Sequence, residues 1–286
     1  MDHPKLFPVL GVIGLSLFFA GCVNLGRVND YAANAAGSIG QFEELGYSFN
    51  KACQEKCQME QLEKQQLLTK GCDCQTEKEA DSVTLVIYHA LKGYFEGLAK
   101  LSGNELTNYR FNALTNGLTA GNFGLVHINQ AQVNACTKVS NILTQAITNG
   151  YRRKKLTTYI GEANESVKIL LDALKSNLVT NLTRRLETQR QRTQSYYFDL
   201  SKDNAISPYE KKKVIEEYNG LMAGIDVKKR QIAVFGKGIE SIGAGHQELY
   251  DARSQLKTKE IKELLTRYGS EIQDTVDEFN KLKNEN

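Results

Sequence analysis

The chain has 286 residues with 36 Lys and Arg against 33 Asp and Glu, a net charge of +3. So even a balance gives nucleic acid no electrostatic purchase on the chain as a whole. Three prolines, no tryptophan and few alternating runs of β-branched residues exclude a strand-rich protein and predict an all-α fold.

At the N-terminus, Lys5 precedes an apolar run from Leu6 to Ala20. The run is shorter than the roughly 20 residues of a membrane-spanning helix and has the layout of a secretory signal peptide over residues 1–21. It closes on Leu17-Phe18-Phe19-Ala20-Gly21-Cys22. That stretch resembles the lipobox of bacterial lipoproteins, with Phe19 where leucine is usual. The resemblance implies that the Cys22 sulfur receives a diacylglycerol and its amine an acyl chain, residues 22–30 forming a lipidated tether to the bilayer. Val23 follows where inner-membrane retention favours Asp, so the resemblance implies a cell-envelope protein on the outer membrane, facing the periplasm. That compartment is oxidising.

Residues 31–70 read as a helix entering a cysteine hairpin, and Glu77 to Leu101 as the helix returning from it, 31–102 forming one unit. Cys53 and Cys57 lie one helical turn apart on a common face, and an extended Cys72-Asp73-Cys74 puts both sulfurs on one side. An antiparallel return then brings Cys57 to Cys72 and Cys53 to Cys74. Bridging each cysteine to its nearest neighbour would strain both bonds. The nested pairing resembles the clasps of helix hairpins with twin C-x3-C motifs, although the second motif here is C-x-C. A four-thiolate zinc site and a redox pair stay open as alternatives.

Residues 103–150 begin with a Gly- and Asn-rich connection to Gly124, after which helix resumes to Thr148. Cys136 falls on an apolar stripe with Val133 and Leu143 and reads as a packed core thiol.

From 151 to 286 the periodicity is strongest. Leu156, Ile160, Ala163, Val167, Leu170 and Leu174 keep heptad steps, then Leu178, Leu182 and Leu186 drift to steps of four. A second register runs from Val214 through Tyr218, Leu221, Ile225, Lys228, Ile232, Phe235, Ile239, Ile242 and His246 to Leu256. Together they predict an antiparallel helical hairpin roughly 70 Å long, with a helix from about Thr258 to Leu282 covering part of it. Gly224, Gly236, Gly238, Gly243 and Gly245 flank the seam, where they predict close approach of another helix; the alternative is a local break around Gly236 to Gly245. Arg152 to Lys155 and the arginines from Arg184 to Arg192 are interleaved with polar residues at helical spacing and read as solvated helix faces. The whole is expected to be an elongated helical bundle containing a long antiparallel helical hairpin and a disulfide-clasped helix hairpin.

One stretch carries ligand chemistry. Asp199 to Glu210, at the turn of the long hairpin, resembles a single EF-hand loop: Asp199, Ser201, Asp203, the Ala205 carbonyl, Ser207 and Glu210 stand at its ligand positions. The resemblance implies a calcium ion, with Asn204 where glycine is usual. Ser207-Pro208-Tyr209-Glu210 reads equally as an ordinary helix start, a capping box with proline in the first turn. His-Glu-x-x-His, Gly-x-Ser-x-Gly and phosphate-loop motifs are absent from the sequence.

The expected function is that of a non-enzymatic, lipid-anchored envelope protein, a helical scaffold or adaptor with a protein partner. A cell-wall hydrolase whose carboxylates meet only in the fold, and a helical carrier of an apolar ligand, are the rival expectations.

Overall fold

The computed structural model describes residues 25–65, 71–103, 117–148, 155–256 and 258–284. Cys22, the expected signal segment, most of the Gly/Asn-rich connection and Arg152 to Lys154 lie outside them.

Helix α1 spans Gly26–Gly40, so the expected tether is helical from Gly26 onward. Its inner face is Val28, Tyr31, Ala32, Ala35, Ala36 and Ile39, at three- and four-residue spacing. Three alanines make that face thin. The single helix expected over 31–70 is instead two. The chain leaves α1 through a tight turn, Gln41–Glu44, reverses at Gly46 with φ +58°, and restarts at Ser48. The Ser48 hydroxyl accepts from the Lys51 amide at 3.2 Å and opens α2, Phe49–Glu63.

Helix α2 buries only Phe49 and Ala52, too little to hold it by packing. Two disulfides hold it, Cys53–Cys74 and Cys57–Cys72, with Cα separations of 5.9 and 6.1 Å. This is the nested pairing expected from the spacing. The Asp81 carboxylate, from the next helix, accepts from the Phe49 and Asn50 amides at 2.8 and 3.0 Å, so an anion caps the positive end of α2.

Helix α3, Gln75–Gly103, is the central strut. It is buried on several faces, with Ile87, Tyr88, Leu91, Phe95 and Leu98 all within 1% of complete burial. The connection that follows carries a feature the sequence did not announce: a small antiparallel hairpin, β1 Gly121–Phe123 and β2 Val126–Ile128, turning through Gly124 at φ +63°. Val126 and Ile128 point into the core. Helix α4, Gln130–Thr148, then starts at Asn129, whose side chain accepts from the Gln132 amide at 3.0 Å. Cys136 is a buried free thiol in it, and burial pushes its pKa up to about 11.

The long hairpin is α5, Leu156–Lys175, a π-helical segment, Ser176–Leu182, and α6, Thr183–Lys202, returning as α7, Pro208–Asp251. The π segment coincides with the drift to four-residue steps. Its wider turns keep Leu178, Leu182 and Leu186 all buried, where an α-helix would rotate them off the core. Two buried asparagines there are satisfied: Asn177 donates to Thr84 Oγ1 at 3.3 Å and Asn181 to the Leu125 carbonyl at 2.8 Å.

Helix α7 runs unbroken through its glycines, which settles that alternative. A Cβ on Gly238 would sit 2.5 Å from Ser38 Oγ of α1, and one on Gly245 2.5 Å from the Tyr31 ring. Helix α8, Lys259–Lys283, closes on the same side through Leu265, Ile272 and Phe279. The expected close approach therefore involves α1 and α8 at Gly238 and Gly245, and the π segment at Gly236, where a Cβ would sit 2.9 Å from Val179. Gly224 does not share it, having nothing within 4 Å of its Cβ position.

Arg185, Arg190 and Arg192 of α6 are ion-paired rather than simply solvated, while Arg184 is exposed. Arg185 meets Glu77 at 3.1 Å, Arg190 meets Asp226, and Arg192 meets Glu60 and Glu63 at 2.9 and 2.8 Å.

Candidate functional site

Arg192 marks the last of the ion pairs joining α6 to α2. Beyond it, α6 and α7 continue side by side for about 15 Å, ten residues at about 1.5 Å each, to the turn at 203–207. Two helices alone leave apolar surface over, and four of the six exposed large hydrophobic residues among the described residues lie here: Phe198, Tyr209, Ile215 and Leu221. The expected seam residue Leu221 is 40% exposed because the register slips by one, Met222 taking the inward position at 9%.

Between the two helices lies a groove of about 280 Å³, floored by Tyr197, Val214 and Tyr218 and flanked by Phe198 and Ile215. Tyr197 is buried and its ring meets Tyr218 at 6.0 Å between centroids. Phe198 is 55% and Ile215 51% exposed, and the Lys202 ammonium stands 3.8 Å from the Phe198 ring centroid. The seam periodicity pointed to Val214 and Tyr218. It missed Phe198 and Ile215, whose only signal was an apolar residue directly beside a seam residue.

The six residues matched to a calcium loop all belong to this tip, but they do not form one cluster. Asp199 and Ser201 remain in the last turns of α6, and the Ser201 hydroxyl donates to the Phe198 carbonyl at 2.8 Å. Asp203 ends the helix, its carboxylate accepting from the Ala205 amide at 2.8 Å. Ser207 and Glu210 form a reciprocal capping box: the Ser207 amide donates to Glu210 Oε2 at 2.7 Å, and the Glu210 amide to Ser207 Oγ at 3.3 Å. These bonds from Ser207 hold the Glu210 carboxyl below its usual pKa. Among the described residues no three His, Cys, Asp or Glu side chains converge as a metal would need.

A second groove, of about 310 Å³, lies between α5 and α7, where Asp172, Lys168 and the Lys175–Glu240 ion pair at 2.6 Å line it. At its side His246 is fully engaged. Its Nδ1 lies 2.9 Å from Asn164 Oδ1 and its Nε2 2.8 Å from the Tyr94 hydroxyl. An amide oxygen only accepts, and Asn164 Nδ2 is turned to Gln247 Oε1 at 3.3 Å, so Nδ1 carries the proton and Nε2 accepts from Tyr94. The ring is neutral, burial lowering its pKa to about 3. It is a satisfied core histidine, as its seam position suggested, and His127, exposed and bonded to Asn122 at 2.5 Å, belongs to the β-hairpin instead.

The chain matches no family model, no curated protein and no solved structure.

The position of the tip in the molecule matters as much as its surface. The Tyr31 hydroxyl donates to the Ile242 carbonyl at 2.6 Å, and Ser38 faces Gly238, so α1 runs antiparallel to α7. Leu25, where the described fold begins, therefore lies at the C-terminal end of α7. The tip is at the other end of that 44-residue helix, about 60 Å away.

Proposed function

We propose that the protein is a lipid-anchored, non-enzymatic scaffold of the bacterial cell envelope, attached to the outer membrane through acyl chains on Cys22 and offering its hairpin tip to a protein partner. The observation that carries this reading is the placement of an exposed aromatic groove at the end of the hairpin farthest from the chain's N-terminal side. Only Val23 and Asn24 separate Cys22 from Leu25, so acylation would seat that end close to the bilayer. Several buried acyl chains, at about 0.8 kcal/mol per CH₂, suffice to hold it there. No helix among the described residues is long and apolar enough to cross a membrane.

The test has two arms. Replacing Cys22 by Ser should move the protein from the membrane to the soluble fraction and abolish incorporation of labelled palmitate. A photo-crosslinking residue placed at Phe198 in living cells should yield a discrete protein adduct, and the same residue at Glu263, exposed on α8, should not. Unchanged fractionation removes the anchor, and equal labelling at the two positions removes the tip as the contact.

A further inference from the structure

We propose that the partner seated on the tip is a second copy of this chain, the two α6–α7 tips packing antiparallel about a two-fold axis beside Ile215. This rests on the scaffold reading and names its partner.

The charges choose the occupant. Along the start of α7 the chain reads Lys211-Lys212-Lys213-Val214-Ile215-Glu216-Glu217, basic on one side of the apolar pair and acidic on the other. At about 100° per residue, Lys211, Lys212, Glu216 and Asn219 flank Ile215 on the helix surface. A two-fold axis beside Ile215 sets Lys211 and Lys212 of each copy towards Glu216 of the other. Parallel packing would set like against like. An isologous contact requires this self-complementarity, because each residue meets its counterpart's partner twice over.

These charges are available. Lys212 and Glu216 pair within the helix at 3.6 Å but are 72% and 56% exposed, and exposed pairs at this spacing contribute little to stability. Exchanging them for the same pair across a partly dehydrated contact costs little. Phe198 and Ile215, each more than half exposed beside the groove, supply the apolar centre that such a contact needs within its polar rim. Two hairpins so joined form a four-helix bundle, in which the apolar strip of each tip is covered by the other.

Sedimentation velocity of the full chain carrying Cys22→Ser, so that acyl chains cannot drive association, reads the result directly. The protein is expected to dimerise. Lys212→Glu and Glu216→Lys should each weaken dimerisation roughly tenfold or more, since every substitution appears twice in the contact. The Lys212→Glu/Glu216→Lys double variant should restore it, and Ile215→Asp should be monomeric with unchanged helical circular dichroism. A monomeric parent, or a double variant no better than the singles, overturns the proposal. In cells, a photo-crosslinker at Ile215 should give an adduct of twice the mass of the uncrosslinked chain from the same cells. An adduct of any other mass overturns the second copy and leaves the scaffold reading standing, whereas no adduct from either Ile215 or Phe198 overturns both.

Discussion

The Tyr94 hydroxyl and His246 Nε2 stand 2.8 Å apart across the interface of α3 and α7, and Tyr94 donates in that bond while the imidazole is neutral. The folded histidine has its pKa lowered to about 3, whereas in the unfolded chain it is that of a free histidine, about 6.5. Between these values the unfolded state binds the extra proton, so stability is full above about pH 6.5 and falls as the pH is lowered towards 3. The carboxylates held low, Glu60, Glu187 and Glu210, still keep their charge at the upper end of this window. Urea unfolding from pH 7 to 5 should therefore show stability falling by at most about 1.4 kcal/mol per pH unit, and His246→Gln should flatten that slope. Equal slopes in the two proteins would mean that another group titrates there.

Four glycines of α7 fall into two pairs with opposite predicted effects. Gly245→Ala drives a methyl to within 2.5 Å of the Tyr31 ring, and Gly238→Ala another to within 2.5 Å of Ser38 Oγ. Each should cost about 1–3 kcal/mol, the usual range for overpacking a fitted interface. Gly220 and Gly224 face open space, so alanine there should stabilise by up to about 1 kcal/mol through helix propensity alone. Thermal melts of the four variants would separate the sets.

At the tip, calcium and capping make different claims on Glu210. Its carboxylate already accepts from the Ser207 amide, and an ion at the implied site would compete for the same oxygen. Calcium binding would raise the melting temperature with ion concentration, and Glu210→Gln would abolish the response. Capping alone predicts no response in either protein, with a small loss on substitution since Gln also reaches back to the Ser207 amide. The capping geometry favours the second outcome, and calorimetric titration at low salt decides it.

The clasp should matter more than the burial of α2 suggests. Its bridges close segments with sequence separations of 21 and 15 residues, and a 15-residue loop is worth about 3 kcal/mol in lost chain entropy. Reduction of the native protein should lower the melting temperature and release α2 to protease between Asn50 and Glu63 before the rest of the molecule. Cys57→Ser/Cys72→Ser should reproduce part of the loss. Protection of α2 in reductant would show that Asp81 and Arg192 hold it without the bonds.

Legibility in the sequence followed periodicity. The long hairpin and the final helix were plain because each helix keeps one apolar face over many turns, and the clasp because cysteine spacing restricts what can bridge. Short-range events were less visible. Gly46 and Ser48 carry the signals for a reversal and a helix start, yet α2 lacks the apolar stripe that would have marked the new element. The β-hairpin is two strands of three residues, below the length at which alternation stands out from a loop. At the tip the same logic fails for a different reason: a strict heptad keeps Leu221 on the seam, but once only two helices remain there is no third neighbour to enforce it, and Met222 turns inward instead. Which apolar residues are left exposed is then a property of the assembled bundle, not of any one helix.

The π segment between α5 and α6 sets the angular phase of everything beyond it. Residues in a π turn each advance by less than the roughly 100° of an α-helix, so winding Ser176–Leu182 as ordinary α-helix at unchanged length would turn Phe198 about the axis and carry it away from Ile215. The side on which the tip groove opens is thus decided some 30 Å upstream, at about 1.5 Å for each of the twenty residues from Leu178 to Phe198. Two asparagines anchored on Thr84 and Leu125 hold the dial.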